Sequence, residues 1–305
     1  MPVTEDEQAS YGSFVISIAE EAGCFDLSGT DLLWHYTDGE GLLGILESGK
    51  LRATQVAALN DSQEVLYARE VYRKEIATLR NSTSLADEDK RFLEYVLEPL
   101  KNDPLEPEHA RSNFFVSCFS RKRDDLSQWD RYGKDNGYAI GFIARFLDEI
   151  PNTTISRIIY DRSKQQAAAR KLAEATLYFF KQGLTPDRTD RKSWMEEFFW
   201  SWNSYIYRLA PVIKDDNWAA EDECRVVHMS NGLADVKFAQ KRTMLARYTD
   251  VIFPMTTPRL PIGSILIGPG NDPGLTKSNI EYVLNKMGYP DSISIEVTRV
   301  SLRRP

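Results

Sequence analysis

The chain has 305 residues, 42% hydrophobic and 11% aromatic, with a net charge of −7 and a pI near 5.2. That is ample material for one large folded domain, and 27% charged residues exclude both a disordered chain and a coiled coil. An acidic balance gives no general attraction to nucleic acid, and no apolar run approaches the ~20 residues that span a bilayer.

Taken in chain order, residues 4–22 form an amphipathic pattern with Phe14, Ile16, Ile18 and Ala19 among its apolar members, stopped by Gly23. Leu32–Tyr36 reads as a strand, leading through Thr37-Asp38 into a helix over 39–48 closed by Gly49. Asn60-Asp61-Ser62 is a cap signal before helices over about 62–80 and 85–101. Phe114–Ser120 is a strand, 124–132 a helix ending at Gly133, and 137–142 and 154–160 are further strands. Long helices follow over 163–183 and 190–209. In the second, Trp194, Phe198, Trp202, Tyr205 and Leu209 share one face, a stripe better read as core than as a binding surface. Strands over 223–229 and 264–267, a helix over 277–287 and a strand over 292–300 complete the chain. The expectation is one α+β domain over 1–305, with helical insertions at about 62–110 and 163–210.

Cys24, Cys118 and Cys224 lack paired spacing and are odd in number, and only His35, His109 and His228 accompany them. No disulfide framework or metal site is expected. The opening MPVTEDEQAS is unlike a targeting peptide, so a cytoplasmic protein away from membranes is expected.

Three segments carry chemistry. In Leu32–Arg52, His35 stands near the end of a strand, where a neutral imidazole can bond a ribose hydroxyl through one nitrogen while the backbone fixes the other. The plain alternative is a buried histidine satisfied by a carbonyl. In Phe114–Phe142, Trp129 and Tyr132 lie one turn apart, suited either to stack a flat ring or to pack the helix on a sheet. In Lys214–Val227, Glu221 and Glu223 are two apart, so at the mouth of a strand both carboxylates face one way. A fixed carboxylate stabilises the positive charge that builds on a sugar as its glycosidic bond breaks, and a second can orient or deprotonate an acceptor. Arg225 can neutralise one of them.

Leu32-Leu33-Trp34-His35, Gly44-Ile45-Leu46 and Gly49 resemble the opening of the poly-ADP-ribose polymerase catalytic domain, and the order His35, Tyr132, glutamate resembles that of diphtheria-toxin-like transferases. The Glu-x-Glu pair is similar to that of arginine-modifying transferases. The resemblance implies a split mixed or antiparallel β-sheet of ADP-ribosyltransferase type with several surrounding helices. It also implies NAD+ as co-substrate, with His35 on the adenosine ribose, the Tyr36 backbone and the Tyr132 ring on nicotinamide, Glu223 as the catalytic carboxylate bonding the nicotinamide ribose, and Glu221 assisting the acceptor. Ser117 and Ser120 are further candidates for orienting the nucleotide. Tyr36 stands where the polymerases have glycine.

The chain is also similar to a bacterial family known as domain of unknown function 2971. The matching residues are His35-Tyr36-Thr37, Leu59-Asn60-Asp61 with Glu64, Ser117-Cys118-Phe119-Ser120, Trp129-x-x-Tyr132, Gly141-Phe142, Trp218-x-x-Glu221-x-Glu223-x-Arg225 and Ile267-Gly268. This pattern adds Thr37, Asn60 and Trp129 to the candidate NAD+ pocket, although capping is the favoured role for Asn60 and Asp61. The expected activity is transfer of ADP-ribose to a protein, nucleic acid or small-molecule acceptor, and the resemblance admits a toxin or phage-defence effector with an antitoxin or regulatory partner. The alternatives are an NAD+ glycohydrolase and a non-catalytic module that binds NAD+, ADP-ribose or a partner protein.

Overall fold

A computed structural model describes residues 3–27, 31–59, 64–101, 114–133, 136–147, 149–151, 153–184, 190–229, 235–241, 244–253 and 259–301. The candidates Asn60 and Asp61, and His109, lie outside these residues, as does the side chain of Glu64. The longer helices are α1 (Glu5–Glu21), α2 (Gly39–Ser48), α3 (Glu64–Arg80), α4 (Asp87–Lys101), α5 (Arg162–Gly183), α6 (Arg191–Leu209) and α7 (Pro273–Lys286). None of the described helices is long and apolar enough to cross a membrane.

Two compact units are present, each assembled from three stretches of chain. Met1–Asp26, Val56–Ser112 and Ile158–Trp218 form a helical unit containing α1, α3, α4, α5 and α6. Thr4 and Glu7 start α1 with a reciprocal capping box, satisfying amide groups that the first turn leaves open. Trp194, Phe198 and Trp202 on α6 are almost fully buried, and the Tyr11 ring of α1 meets Phe198 and Trp202 edge-on at 5.8 and 5.5 Å. That part of the aromatic stripe is therefore core; the side chains of Tyr205 and Leu209 lie outside the described residues. At its centre Thr176 donates to the Leu172 carbonyl at 2.7 Å and accepts from Trp202 Nε1 at 2.7 Å. With its own proton committed, Thr176 must also accept from the Tyr72 hydroxyl 2.8 Å away.

Leu27–Gln55, Asn113–Arg157 and Ala219–Pro305 form the other unit, which holds the sheet. Its strands are β1 (Leu32–Thr37), β2 (Leu51–Gln55), β3 (Phe114–Ser120), β4 (Tyr138–Ile143) and β5 (Thr153–Arg157), then β6 (Glu223–Met229), β7 (Lys237–Lys241), β8 (Met244–Val251), β9 (Ile262–Ile267) and β10 (Ser294–Val297). Among the described residues these ten make one open sheet in the order β10-β9-β4-β1-β3-β2-β8-β7, with β6 and β5 branching from β3. Only the β9–β10 pair is parallel, so the class is mixed α+β, as the sequence leads one to expect.

The branch at β3 matters most. Along one edge β3 pairs with β6 over its whole length, Phe114 opposite Met229 through Ser120 opposite Glu223. Along the other edge it meets β1 only at Ser120 and β2 only at Phe115 and Val116. β1 and β2 thus leave β3 in a fork, and the ladder is open on that edge from Ser117 to Phe119.

Several elements differ from the sequence-based expectation. The segment over 124–132 is not a regular helix but a three-residue α turn, Leu126–Gln128, running into a π turn, Trp129–Gly133. Strand 154–160 stops at Arg157, and Ile159 instead bridges to Ile213 within the helical unit. α7 begins at Pro273 rather than 277, because Asp272 caps it by accepting from Leu275 N and proline suits the first turn. The strand over 292–300 shrinks to Ser294–Val297, and β2, β7 and β8 are additional.

Candidate functional site

His35 sits in the fork. Its Nδ1 lies 2.9 Å from the carbonyl oxygen of Cys118, in the stretch of β3 that lacks a strand partner on that side. A carbonyl only accepts, so Nδ1 carries the proton and, in the neutral ring, Nε2 is left as an acceptor. Burial lowers the imidazole pKa, opposed by the Cys118 bond, so the neutral form prevails near neutral pH. The ring lies on the Leu33 side of β1, its centroid 5.7 Å from that of Phe119. Ser117 closes the other arm of the fork: its Oγ donates to the Arg52 carbonyl of β2 at 3.0 Å. That hydroxyl is a brace between strands.

The opposite side of β1 carries Trp34 and Tyr36, which cluster with Trp129, Ala139 and Leu266, with Tyr132 packed alongside. Tyr36 is buried; its hydroxyl donates to the Lys122 carbonyl at 2.8 Å and accepts from Asp125 N at 3.2 Å, and burial raises the phenol pKa. Trp129 is fully buried and donates from Nε1 to Asp124 at 2.7 Å, which makes it a packing residue. Asp124 in turn receives the Thr298 hydroxyl and the Arg299 amide, tying the end of the chain to the same turn. Thr37 ends β1 with its side chain lodged against Gly41, where any Cβ would collide with its hydroxyl.

The π turn follows from close packing. Asp125 caps the preceding turn by accepting from Ser127 N and Gln128 N. Gly133 lies against Gly137, and Gly268 donates to the Gly137 carbonyl at 2.8 Å. A Cβ on Gly137 would approach the Gly133 backbone to 2.3 Å, and one on Gly268 would reach the Trp129 ring at 2.7 Å. Widening the turn by a residue fits the Trp129 indole beneath these glycines, with Arg131 exposed and Tyr132 half-buried against the cluster.

The two acids do not share a strand mouth. Glu221 closes a 3-10 turn, Asp216–Glu221, and Asp222 takes a left-handed φ of 43°, so regular strand alternation begins only at Glu223. Their partners differ. Glu223 Oε1 and Oε2 accept from Arg225 Nε and Nη2 at 2.7 and 3.0 Å, with side-chain exposures of 7% and 1%. The Glu221 side chain is 4% exposed, and its Oε1 lies 2.6 Å from Nη1 of Arg131, which is 42% exposed. The Tyr132 hydroxyl donates to the same oxygen at 3.5 Å. The Glu221 carbonyl is held by Ser120 Oγ at 2.7 Å and by Gln128 Nε2 at 3.4 Å.

Tyr132 and Glu221 are therefore brought together, and Ser120 joins them through the backbone. His35 reaches the same strand end by the Cys118 carbonyl but lies on the Leu33 side, while Glu223 is engaged internally with Arg225. Arg131 was not among the sequence candidates, although its place beside Tyr132 in a turn between two strands was the available signal. Among the described residues no group of three or more His, Cys, Asp or Glu side chains is arranged to hold a metal.

A family model described as protein of unknown function (DUF2971) matches residues 128–226. Over that stretch the chain is similar to this family. The match begins at Gln128 and takes in Trp129, Arg131, Tyr132, both glutamates and Arg225, so it spans the contacts around Glu221. No curated protein and no solved structure matches the chain.

Proposed function

We propose that the sheet unit binds NAD+ and breaks its nicotinamide–ribose bond, passing ADP-ribose to an acceptor. One observation carries the reading: the Tyr132 hydroxyl meets the buried Glu221 carboxylate, 89 residues away in sequence, beside the Ser120 end of β3, the strand that His35 contacts at Cys118 from the Leu33 side. In this reading the His35 Nε2 lone pair accepts a ribose hydroxyl and the Tyr132 ring stacks on nicotinamide. Glu221, rather than Glu223, bonds the 2-hydroxyl of the ribose being attacked, because Glu223 already has both oxygens on Arg225.

The glycosidic bond breaks with its electron pair leaving on nicotinamide, which becomes neutral. The carboxylate steadies the positive charge on the sugar as it develops. An acceptor lone pair then forms the new bond to the same carbon, and the acceptor releases its proton. Water in place of the acceptor gives glycohydrolysis by the same residues.

Incubation of the protein with NAD+ labelled in its ADP-ribose half tests this. Release of nicotinamide with label retained on a macromolecule is the expected result, and release with only free ADP-ribose assigns the acceptor role to water. Nucleotide binding without any nicotinamide release overturns the reading in favour of a binding module.

A further inference from the structure

We infer that Arg131 is the recognition residue for a diphosphate-bearing nucleotide and that its ion pair with Glu221 is a latch which that anion opens. The inference rests on the NAD+ reading above. Two arginine–glutamate pairs of the sheet unit, those with buried carboxylates, differ in accessibility. Arg225 and Glu223 are both sealed, whereas Arg131 holds a sealed carboxylate with a side chain that is 42% exposed. An arginine side chain lying at the surface can exchange one anionic partner for another without taking a charge through the core, and its planar fork suits a diphosphate better than a single carboxylate oxygen.

Two further features make the exchange local. The backbone beneath Arg131 is fixed by the Gly133–Gly137–Gly268 packing on Trp129, so only the side chain swings. Glu221 stays in place when its partner leaves, because Ser120 Oγ and Gln128 Nε2 hold its carbonyl and Tyr132 still reaches its carboxylate. In the closed arrangement the carboxylate is paired with Arg131; in the open one, still bonded by Tyr132, it turns to the sugar. The substrate's own anion thus arms the acid that acts on it.

Calorimetric titration with ADP-ribose and with adenosine, on wild type, Arg131→Gln, Arg131→Lys and Glu221→Gln, tests the latch. Arg131→Gln weakens ADP-ribose binding about tenfold or more through loss of charge-assisted bonds, and leaves adenosine binding unchanged. Arg131→Lys falls between. Glu221→Gln removes the internal competitor and tightens ADP-ribose binding about threefold, since a larger fraction of the protein is then competent. A merely structural pair predicts weaker binding of both ligands in both variants, and that outcome overturns the inference. Wild-type nicotinamide release together with unaltered ADP-ribose affinity in Arg131→Gln sinks the latch and leaves the NAD+ reading standing. A wild type that neither binds ADP-ribose nor releases nicotinamide removes both.

Discussion

The heart of the helical unit and the end of β3 in the sheet unit bury polar groups in different ways, although the helical unit also buries Asp89 against Lys181. At the heart of the helical unit the Thr176 hydroxyl serves Leu172, Trp202 and Tyr72, a neutral node in which every proton has an acceptor. In the sheet unit two carboxylates are buried beside the end of β3, each against its own arginine. A neutral node costs little once satisfied, and it fixes how helices pack. Buried charge costs far more unless paired, and apolar replacement of such pairs is often neutral or stabilising. Charge kept inside the sheet unit is therefore poorly explained by stability, and it coincides with the open fork of β3.

The largest expected break in this comparison is Arg225→Ala. It removes the arginine that holds both oxygens of the buried Glu223 carboxylate and lowers unfolding stability by about 3–5 kcal/mol in chemical denaturation. Replacing both partners by apolar residues of similar volume restores most of that loss; a double variant as unstable as the single one contradicts the desolvation argument. Next comes Thr176→Val, which leaves the Trp202 Nε1 and Tyr72 hydroxyl without their shared acceptor and costs about 1–3 kcal/mol. That change leaves nicotinamide release by the folded protein untouched, since the node lies in the helical unit.

The smallest effect separates the two nitrogens of His35. Asparagine supplies a donor near the Nδ1 position, so His35→Asn keeps the Cys118 bond and changes stability by less than about 1 kcal/mol at neutral pH. It nevertheless loses the Nε2 acceptor and slows turnover. Because the folded protein lowers the His35 pKa, the unfolded chain binds the proton more readily in acid. Its stabilising contribution is complete above the unfolded value, about 6.5, and is lost as pH falls from there towards the lowered folded value. His228 is shifted the same way by burial, so the comparison is the difference between wild type and His35→Asn across that window. An unchanged acid limb in the variant contradicts the assigned tautomer and burial.

What the sequence disclosed followed local pattern. The apolar spacing of α1 and α6, the Gly49 stop of α2, and the dense aromatic run of β3 are all local signals, and the corresponding elements are present. The β7–β8 hairpin was illegible because much of it faces water, with Phe238 and Leu245 exposed, and Arg242-Thr243 between its strands carries no glycine or asparagine turn signal. The π turn was hidden for another reason: its extra residue is imposed by Gly268, far along the chain, pressing on Trp129. His35, Tyr132 and the acids stood out as residue types, but their partners, Arg225 apart, did not. The Cys118 carbonyl is 83 residues from His35, and Arg131 lies 90 from Glu221. The different partners of Glu221 and Glu223 follow from the left-handed Asp222, which an alternating pattern does not announce.

The most direct test of the central claim, that the Glu221 carboxylate beside Tyr132 does the chemistry, is the rate of nicotinamide release from NAD+ by Glu221→Gln, a near-isosteric change. The account predicts a fall of about a hundredfold or more against wild type, with an unaltered unfolding midpoint and retained ADP-ribose binding. Release at the wild-type rate from the folded variant would contradict it.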